Sequence, residues 1–383
     1  MKSPSEPKKK TPIDLFEPFG IGRLELKNRF VRSATWDNTA DDSGAVTDKS
    51  VAFYSKLSQG RIGLIVTGFA FINPLGKALP RQYGVHHDGM ISGLRLLVQA
   101  AHREGSKIAL QIVHAGINSP FFYKKGMTTL AVSGMKDGLR PGMLPLISRK
   151  QKINIPHKEM TDEEIESVIS DFVSAAVRAR EAGFDAVQLH GAHGYLMSQF
   201  LSPLFNVRTD RWGGNAENRR RFHLELVCKV RKAIGDDFPL LIKFGVKDDE
   251  EGGLSLNEGL ETAKQMVSKG INAIEISGGI GVPPSVGKSE LEEVPYRDRA
   301  AAVKQVVTVP VMVVQGVRSL EMAKNIVESG DADLISISRP FIREPELIAR
   351  WQRGETWPSQ CISCHRCHSE NDEPVQCRSR GRR

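Results

Sequence analysis

The sequence predicts an α/β protein whose main domain, over residues 14–355, is a (β/α)8 TIM barrel. Three observations favour this fold class. Eight short apolar runs with the character of strands alternate with eight helical patterns along the 383 residues. No Gly-x-Gly-x-x-Gly fingerprint follows the first strand, which argues against a doubly wound sheet. Polar residues and glycines cluster directly after the strands, at the end of a barrel where active sites are built.

Each predicted strand is a short apolar run, and each predicted helix has apolar residues at helical spacing. The strands are predicted at Phe30–Ser33, Ile62–Thr67, Lys107–Val113, Ala186–His190, Leu240–Phe244, Ala273–Ser277, Val311–Gln315 and Asp333–Ser336. The helices are predicted at Asp48–Ser58, Met90–Glu104, Asp162–Ala182, Ala216–Ile234, Leu256–Ser268, Arg297–Val307, Leu320–Glu328 and Glu344–Arg353. The third helix starts with a capping-box pattern at Thr161 and Glu164. Gly183, Gly270 and Gly330 follow helices, where a left-handed residue ends them.

Four segments lie outside this repeat. Residues 16–27 predict two short strands around a glycine turn, a β-hairpin that acts as a plug or lid for the barrel. Residues 115–160, after the third strand, form a long Gly-, Pro- and Lys-rich stretch that predicts a loop excursion over the barrel mouth. Residues 1–13 predict a disordered basic tail, and residues 356–383 form a Cys-rich, basic C-terminal tail.

The formal net charge of +8 comes mainly from the two ends of the chain, and the body between them is nearly balanced. We therefore expect no specific binding to nucleic acid. No apolar run is long enough to span a membrane, and the N-terminus lacks the apolar core of a secretory signal. These features predict a cytoplasmic protein that acts on a small molecule.

The most informative stretch follows the fourth predicted strand, where His190, His193 and Tyr195 leave the end of a buried apolar run. In a barrel this position points the two imidazoles and the phenol into the mouth, which favours an active site. For His190 alone, a half-buried structural histidine is the better interpretation. The trio together favours a functional site.

The ends of other strands predict a site for a phosphate and a flat ring. Gly316 follows the seventh strand, and Ser338 and Arg339 follow the eighth. This combination is typical of a phosphate site, because glycine lets backbone N–H groups approach an anion and arginine adds charge. Gln111, Lys243 and Gly68 are expected to face a planar ring with polar edges. An amide and a cation at such an edge suit a flavin that accepts hydride.

Four motifs closely resemble the Old Yellow Enzyme family of FMN-dependent oxidoreductases, and the resemblance extends over about residues 14–350. The last motif is long enough to make chance a poor explanation. These motifs are Asn28-Arg-Phe-Val, Gln111-Ile-Val-His-Ala-Gly, His190-Gly-Ala-His-Gly-Tyr195 and Asn206-Val-Arg-Thr-Asp-Arg-Trp-Gly-Gly-Asn-Ala-Glu-Asn-Arg219.

The resemblance implies an FMN-bound ene-reductase that takes hydride from NAD(P)H and reduces an alkene conjugated to a carbonyl. It implies that His190 and His193 hold the substrate's oxygen, that the flavin N5 delivers hydride, and that Tyr195 donates the proton. The implied cofactor-binding residues are Ala34, Thr35, Gly68, Gln111, Lys243, Ser277, Gly278, Gly316, Ser338 and Arg339. Two positions depart from the family. Lys243 replaces the usual arginine, and Trp36 stands in the substrate pocket where threonine or cysteine is common.

The tail cysteines Cys361, Cys364, Cys367 and Cys377 have the close spacing of metal ligands. The spacing resembles the [4Fe–4S] segment of the dienoyl-CoA reductase and trimethylamine dehydrogenase branch, although the gap before the last cysteine is shorter. Zinc is the alternative. Two overlapping Cys-x-x-Cys-His patterns match the attachment signature of c-type haem, but haem is disfavoured because the sequence shows no export signal. A last alternative is that the four thiols bind nothing and belong to a frayed tail. Cys228, in a helical pattern, predicts core packing.

Several alternatives stay open at this stage. Oxidative N-demethylation of a small amine would use the same flavin. Reduction of uridine in tRNA is disfavoured by the balanced body and by the histidine pair. A non-enzymatic, zinc-stabilised interaction protein would bind no flavin. An iron–sulfur cluster at this place would need an external electron donor or would serve structure only. The substrate, the choice between NADH and NADPH, and assembly into a homo-oligomer are left open.

Overall fold

The computed structural model describes residues 13–135, 155–281, 294–367 and 373–379. Residues 1–12 of the predicted disordered tail and residues 136–154 of the predicted excursion lie outside this range.

The described chain alternates strands and helices as expected. The strands are β1 (Phe19–Ile21), β2 (Leu24–Leu26), β3 (Phe30–Arg32), β4 (Leu64–Val66), β5 (Ala70–Phe71), β6 (Lys107–Val113), β7 (Thr129–Ala131), β8 (His157–Glu159), β9 (Ala186–Gly191), β10 (Leu240–Gly245), β11 (Ala273–Ser277), β12 (Val311–Val314) and β13 (Leu334–Ile337). The helices are α1 (Asp48–Gln59), α2 (Ile91–His102), α3 (Pro120–Lys124), α4 (Asp162–Glu181), α5 (Leu196–Leu201), α6 (Ala216–Ile234), α7 (Leu256–Ser268), α8 (Arg297–Lys304), α9 (Leu320–Glu328), α10 (Arg339–Arg343) and α11 (Leu347–Gln352).

Eight parallel strands close into a barrel, which confirms the predicted fold. The ring runs through β3, β4, β6, β9, β10, β11, β12 and β13. It closes because β13 pairs with β3, and β4 pairs with β6. The predicted limits of β6 and β11 match those of the structure. Each of the other barrel strands differs from its predicted limits by at most three residues, counted over both of its ends. These strands were easy to locate because both of their faces are buried, which leaves continuous apolar runs.

The β1–β2 hairpin closes the barrel at the amino ends of the strands. Its side chains Ile21, Leu24 and Leu26 are buried in one cluster with residues such as Leu241 and Ala273, which stand at the first or second position of their strands. The hairpin therefore plugs the bottom of the barrel, and the carboxyl ends of the strands are left to form the site.

The helix ends form as the sequence predicts. The side chain of Thr161 accepts from the N–H of Glu164 at 3.2 Å, and the carboxylate of Glu164 accepts from the N–H of Thr161 at 2.9 Å. Gly183, Gly270 and Gly330 all have positive φ, a conformation that glycine adopts without a steric penalty. Both results follow from chemistry local to each turn.

The long Asn206–Arg219 motif holds the described ends of the excursion against the barrel. Arg208 donates to the carbonyl oxygens of Val132 and Met160, each at 2.8 Å, and its guanidinium pairs with Asp210. The amide of Asn206 donates to the carbonyl of Trp212 at 2.7 Å. The motif therefore has a structural role in this chain.

The prediction that Cys228 fills the core is wrong, because its side chain is exposed on α6. The buried stripe of this helix includes Phe222, Leu226 and Val230. Position 228 lies about 200° around the helix from Leu226, on the opposite side.

Among the helices in the described part of the chain, none combines the length and the apolar character needed to cross a bilayer.

Burial keeps several histidines neutral and makes the fold sensitive to acid. It lowers the pKa of His114 and of His223 to about 3. An unfolded histidine has a pKa of about 6.5. As the pH falls below that value, the unfolded chain takes up protons that the folded chain does not, so stability decreases toward about pH 3.

We predict that His223→Leu weakens this acid sensitivity. His223 is buried beside Phe244, and neither ring nitrogen has a hydrogen-bond partner among the described residues. Removing one such histidine should reduce the slope of the unfolding free energy by about 1.4 kcal/mol per pH unit between about pH 6 and 4. Denaturant unfolding over that range measures the slope. Leu226→Ala, which truncates a buried side chain on the same helix and removes no titrating group, is the control and should keep the wild-type slope. A wild-type slope in His223→Leu would contradict the assignment.

Candidate active site

A layer of polar side chains lies inside the barrel, above the apolar layer that packs on the hairpin. Its centre is the carboxylate of Glu275 on β11, which is fully buried. One oxygen accepts from Ser33 at 2.7 Å and from Ser336 at 2.6 Å, and it pairs with the ammonium of Lys243 at 3.0 Å. The other oxygen accepts from the amide of Gln188 at 2.9 Å. Every oxygen of this buried carboxylate therefore has a donor.

The charges in this layer stabilise each other against desolvation. Burial raises the pKa of Glu275, but Lys243 and the hydrogen bonds from Ser33, Ser336 and Gln188 outweigh it, and the pKa lies below its ordinary value. Burial lowers the pKa of Lys243, and Glu275 opposes that change. Lys243 also donates to Ser33 at 2.6 Å. The ion pair keeps a fixed positive charge at the floor of the mouth.

Gln111 extends this layer and has an unused acceptor. Its amide nitrogen donates to Gln188 at 2.7 Å. Its oxygen is buried and accepts no hydrogen bond from any described residue. A buried amide oxygen without a donor is costly, so a group other than the described residues is expected to donate to it.

The predicted trio gathers at the end of β9. The ring centroids of His190 and His193 are 5.1 Å apart, and those of His190 and Tyr195 are 4.8 Å apart. His193 has a φ of 60°, a conformation uncommon outside glycine and often found at functional sites. Its Nε2 hydrogen-bonds with Ser277 at 2.7 Å, and its backbone N–H donates to the carbonyl of Gly278 at 2.9 Å. The tight turn and these two contacts fix the ring in the mouth.

Both imidazoles are neutral at physiological pH. Burial, with smaller contributions from His193 and Lys243, lowers the pKa of His190 well below its ordinary value. The ring of His193 is open to the mouth, but the protein surrounds it on its other sides, and desolvation together with Lys243 lowers its pKa to about 3. The N–H of Ala192 donates to Nδ1 of His190 at 3.4 Å, so the ring proton resides on Nε2. Burial raises the pKa of Tyr195, which keeps the phenol protonated.

A cavity opens beside the trio at the carboxyl ends of β12 and β13. Seven of the predicted site residues line it: Ala34, His193, Lys243, Ser277, Gly316, Ser338 and Arg339. Gln315 and Gly316 both have positive φ, which produces a sharp turn after β12. The structure therefore brings the predicted phosphate residues and His193 to one cavity.

Five predicted cofactor- or substrate-binding residues outside the trio do not line this cavity. Thr35 shares a hydrogen bond of 2.7 Å with Ser338. The N–H of Gly68 donates to the phenol of Tyr54 at 2.8 Å. Trp36 belongs to the apolar cluster that contains Phe69 and Tyr195, and its indole N–H donates to the carbonyl of Pro80 at 3.0 Å. Gln111 lies in the polar layer, and Gly278 contacts His193 through its backbone.

The C-terminal cysteine segment packs on the end of the cavity that Arg318 and Arg339 line. Ser363 lines the cavity and accepts from Arg318 at 2.6 Å. His365 lies 3.0 Å from the guanidinium of Arg339. The N–H of Val375 donates to the carbonyl of Asp37 at 2.9 Å. The described parts of this segment are therefore built into the barrel mouth.

Three neighbouring thiols act on Cys367. Burial raises the pKa of Cys367 to about 11, and Cys361, Cys377 and Cys364 add to this shift. In the range that the structure describes, no group of three or more His, Cys, Asp or Glu side chains is arranged to hold a metal ion. His368 lies outside that range.

The sequence interpretation missed Glu275, Gln188, Ser33 and Ser336, which organise the polar layer. A glutamate in the run Ala273–Ser277 and a glutamine in the run Ala186–Leu189 interrupt otherwise apolar strands. A buried polar residue needs a partner, so these interruptions were the available indication.

The site fits FMN on two structural observations. The unsatisfied oxygen of Gln111 would accept from an N–H on the pyrimidine edge of a flavin. The cavity carries hydroxyls of Ser277 and Ser338 and the charge of Arg339, which suit a ribityl phosphate.

Known proteins with related sequences support this assignment. The sequence profile of the NADH:flavin oxidoreductase / NADH oxidase family matches residues 14–356. An NADH oxidase of Thermoanaerobacter brockii is 34% identical over 356 residues, which make up 92% of this chain and 53% of that protein. An NADPH dehydrogenase of Bacillus cytotoxicus is 32% identical over 86% of this chain and 90% of its own length.

Solved structures agree with the sequence relatives. A 2-naphthoyl-CoA reductase in complex with 2-naphthoyl-CoA superposes with a TM-score of 0.83 and 28% identity, over 95% of this chain and 56% of that one. An Old Yellow Enzyme homologue of Zymomonas mobilis superposes with a TM-score of 0.76 and 25% identity, over 91% of this chain and 95% of that one.

The chain spans only about half the length of the NADH oxidase and of the naphthoyl-CoA reductase. Its barrel, however, is covered almost entirely by the family profile, and the sequence resemblance to Old Yellow Enzyme is confirmed by a solved homologue. The chain belongs to the NADH:flavin oxidoreductase / NADH oxidase family.

Proposed function

We propose that this chain binds FMN, takes reducing equivalents from NADH or NADPH, and reduces an alkene activated by a carbonyl. The observation that carries the proposal is the gathering of two neutral imidazoles and one protonated phenol beside the cavity. FMN supplies the hydride chemistry when it is bound. The residues of the chain bind, polarise and protonate the substrate.

The histidines are suited to bind an oxygen that gains negative charge during the reaction. A neutral imidazole has one N–H donor, and Nε2 of His190 carries this proton. Because burial lowers the pKa of His190 well below its ordinary value, and desolvation together with Lys243 lowers that of His193, the two rings orient and polarise the oxygen without transferring a proton.

Tyr195 is suited to donate the proton. Its phenol stays protonated because burial raises its pKa, and its ring packs against those of His190 and Phe69. This packing restricts the ring to one orientation. A fixed, protonated acid beside the site is what protonation of the substrate carbon requires.

Oxidation of a small amine remains the second candidate from the sequence. It would remove hydride from the substrate and would need no proton from Tyr195. The two activities are therefore distinguished by the effect of removing the phenol.

We predict that Tyr195→Phe slows alkene reduction by roughly 10²–10⁴-fold, the usual contribution of a positioned acid. Reduction of the flavin by NAD(P)H needs no such proton and should be nearly unchanged. Stopped-flow measurement of the two half-reactions separates these effects. Tyr123→Phe removes a phenol from another apolar cluster and should change neither rate. Equal slowing of both half-reactions by Tyr195→Phe would mean that the ring has only a structural role.

We predict that the purified protein is yellow and that Arg339→Ala weakens FMN binding by about 10- to 100-fold, because a charge-assisted contact to phosphate is lost. Quenching of flavin fluorescence measures the dissociation constant. The control Arg353→Ala, at an exposed arginine paired with Glu355, should bind as the wild type does. A protein that takes up no FMN on reconstitution would end the proposal.

We also propose that Cys361, Cys364, Cys367 and Cys377 bind a metal centre, either a [4Fe–4S] cluster or zinc. The close spacing of the four thiols along the chain supports this proposal. Because the described side chains are not arranged around a metal ion, binding would require the thiols to move toward one another. A thiol must lose its proton to bind a metal, so binding should release protons. If the centre is an iron–sulfur cluster, it would exchange electrons with an external donor or serve structure only.

If these cysteines bind one metal centre, we predict that Cys361→Ser, Cys364→Ser and Cys367→Ser each lose the bound metal, because the affinity depends on the full ligand set. Elemental analysis of anaerobically prepared protein measures iron and zinc. Cys228→Ser, at the exposed cysteine on α6, is the matched control and should keep the metal content. Wild-type protein with neither metal would refute the centre.

A further inference from the structure

A chain of three side chains crosses the barrel from Glu275 to Gln111. The amide nitrogen of Gln188 donates to Glu275 at 2.9 Å, and the amide nitrogen of Gln111 donates to the oxygen of Gln188 at 2.7 Å. All three residues are fully buried. Bulk water therefore does not reach these partners, and the hydrogen bonds depend on one another.

The direction of this chain follows from the chemistry of its first member. An ionised carboxylate only accepts hydrogen bonds. Lys243, Ser33 and Ser336 surround one oxygen of Glu275, so its other oxygen faces Gln188 as an acceptor. Gln188 must then direct its NH₂ group toward Glu275 and its oxygen toward Gln111. Gln111 must direct its NH₂ group toward Gln188, and its own oxygen is left over.

This remaining oxygen of Gln111 is buried and has no donor among the described residues. A flavin has an imide N–H on its pyrimidine edge, and this donor matches an amide oxygen and would oppose an amide NH₂. Which end of Gln111 is presented therefore affects how well a flavin binds.

We infer that Glu275 is a positioning residue for the flavin. Its charge, relayed through Gln188, fixes the Gln111 amide with the oxygen toward the cofactor, although Glu275 does not contact the cofactor itself. This inference rests on the proposed binding of FMN.

Glu275→Gln reverses the relay with almost no change in shape. In this variant, Lys243, Ser33 and Ser336 still surround one end of the side chain at position 275, so the amide oxygen stays at that end. The new NH₂ group then faces Gln188. Gln188 then turns its oxygen toward position 275 and its NH₂ group toward Gln111. Gln111 in turn presents NH₂ to the cofactor. We expect FMN to bind about 5- to 100-fold more weakly, the cost of one lost hydrogen bond and an unsatisfied buried group.

A double-mutant cycle separates the relay from general loosening of the site. Glu275→Gln is made in the wild type and in Gln111→Met, which has no amide to orient. Apoprotein of each full-length variant is titrated with FMN, the dissociation constant is measured by fluorescence quenching, and thermal unfolding confirms the fold. We expect the effect of Glu275→Gln to be at least about fivefold smaller in the Gln111→Met background. If Glu275→Gln weakened FMN binding only by altering Lys243, the same loss of affinity would appear in both backgrounds.

Two further variants complete the test. Gln188→Met breaks the relay and leaves the Lys243–Glu275 pair intact, so it should also lose its effect in the Gln111→Met background, even if Glu275→Gln fails to fold. Ser336→Ala removes a hydrogen bond to Glu275 that lies outside the relay, and its effect should be equal in both backgrounds. Equal effects of Glu275→Gln or Gln188→Met in the two backgrounds would overturn the relay. Failure of the wild type to bind FMN would overturn the proposed function itself, and the relay with it.

Discussion

The buried ion pair between Lys243 and Glu275 is the interaction on which the rest of the site depends. The ammonium and the carboxylate are 3.0 Å apart, and both are almost fully removed from water. A buried pair persists only when the remaining donors and acceptors are also satisfied. Ser33, Ser336 and Gln188 meet this condition for the carboxylate. Strands on several sides of the barrel must therefore be in register before either charge is stabilised.

This pair also influences the chemistry above it. Burial is the main cause of the lowered pKa of His190 and His193; the positive charge of Lys243 acts in the same direction, and Glu275 opposes it at His193. The imidazoles thus remain neutral donors beside a fixed cation, an arrangement suited to an oxygen that gains negative charge. Tyr195 differs from them because its surroundings are apolar, with Phe69 and Trp36 in the same cluster. The groups proposed to polarise the substrate therefore lie in a different environment from the group proposed to protonate it.

The two ends of the barrel have different roles because different segments close them. The β1–β2 hairpin fills the amino ends of the strands with apolar side chains. The cysteine segment covers part of the carboxyl ends, where Ser363 and His365 contact Arg318 and Arg339. A change in the geometry of the cysteines is thus expected to shift Arg318 and Arg339 and so to alter the end of the cavity that these arginines line.

The sequence by itself determined the barrel, the helix caps and the trio after β9, because each depends on the chemistry of neighbouring residues. A capping box, a glycine with positive φ and a buried apolar run are local features. Only the tertiary structure decided the partners inside the barrel. Glu275, Ser33 and Gln188 are far apart along the chain and meet because β11, the end of β3 and β9 direct them inward. The outward position of Cys228 was likewise decided by which stripe of α6 packs on the barrel. Local sequence does not encode such contacts, since they form only when the ring of strands closes.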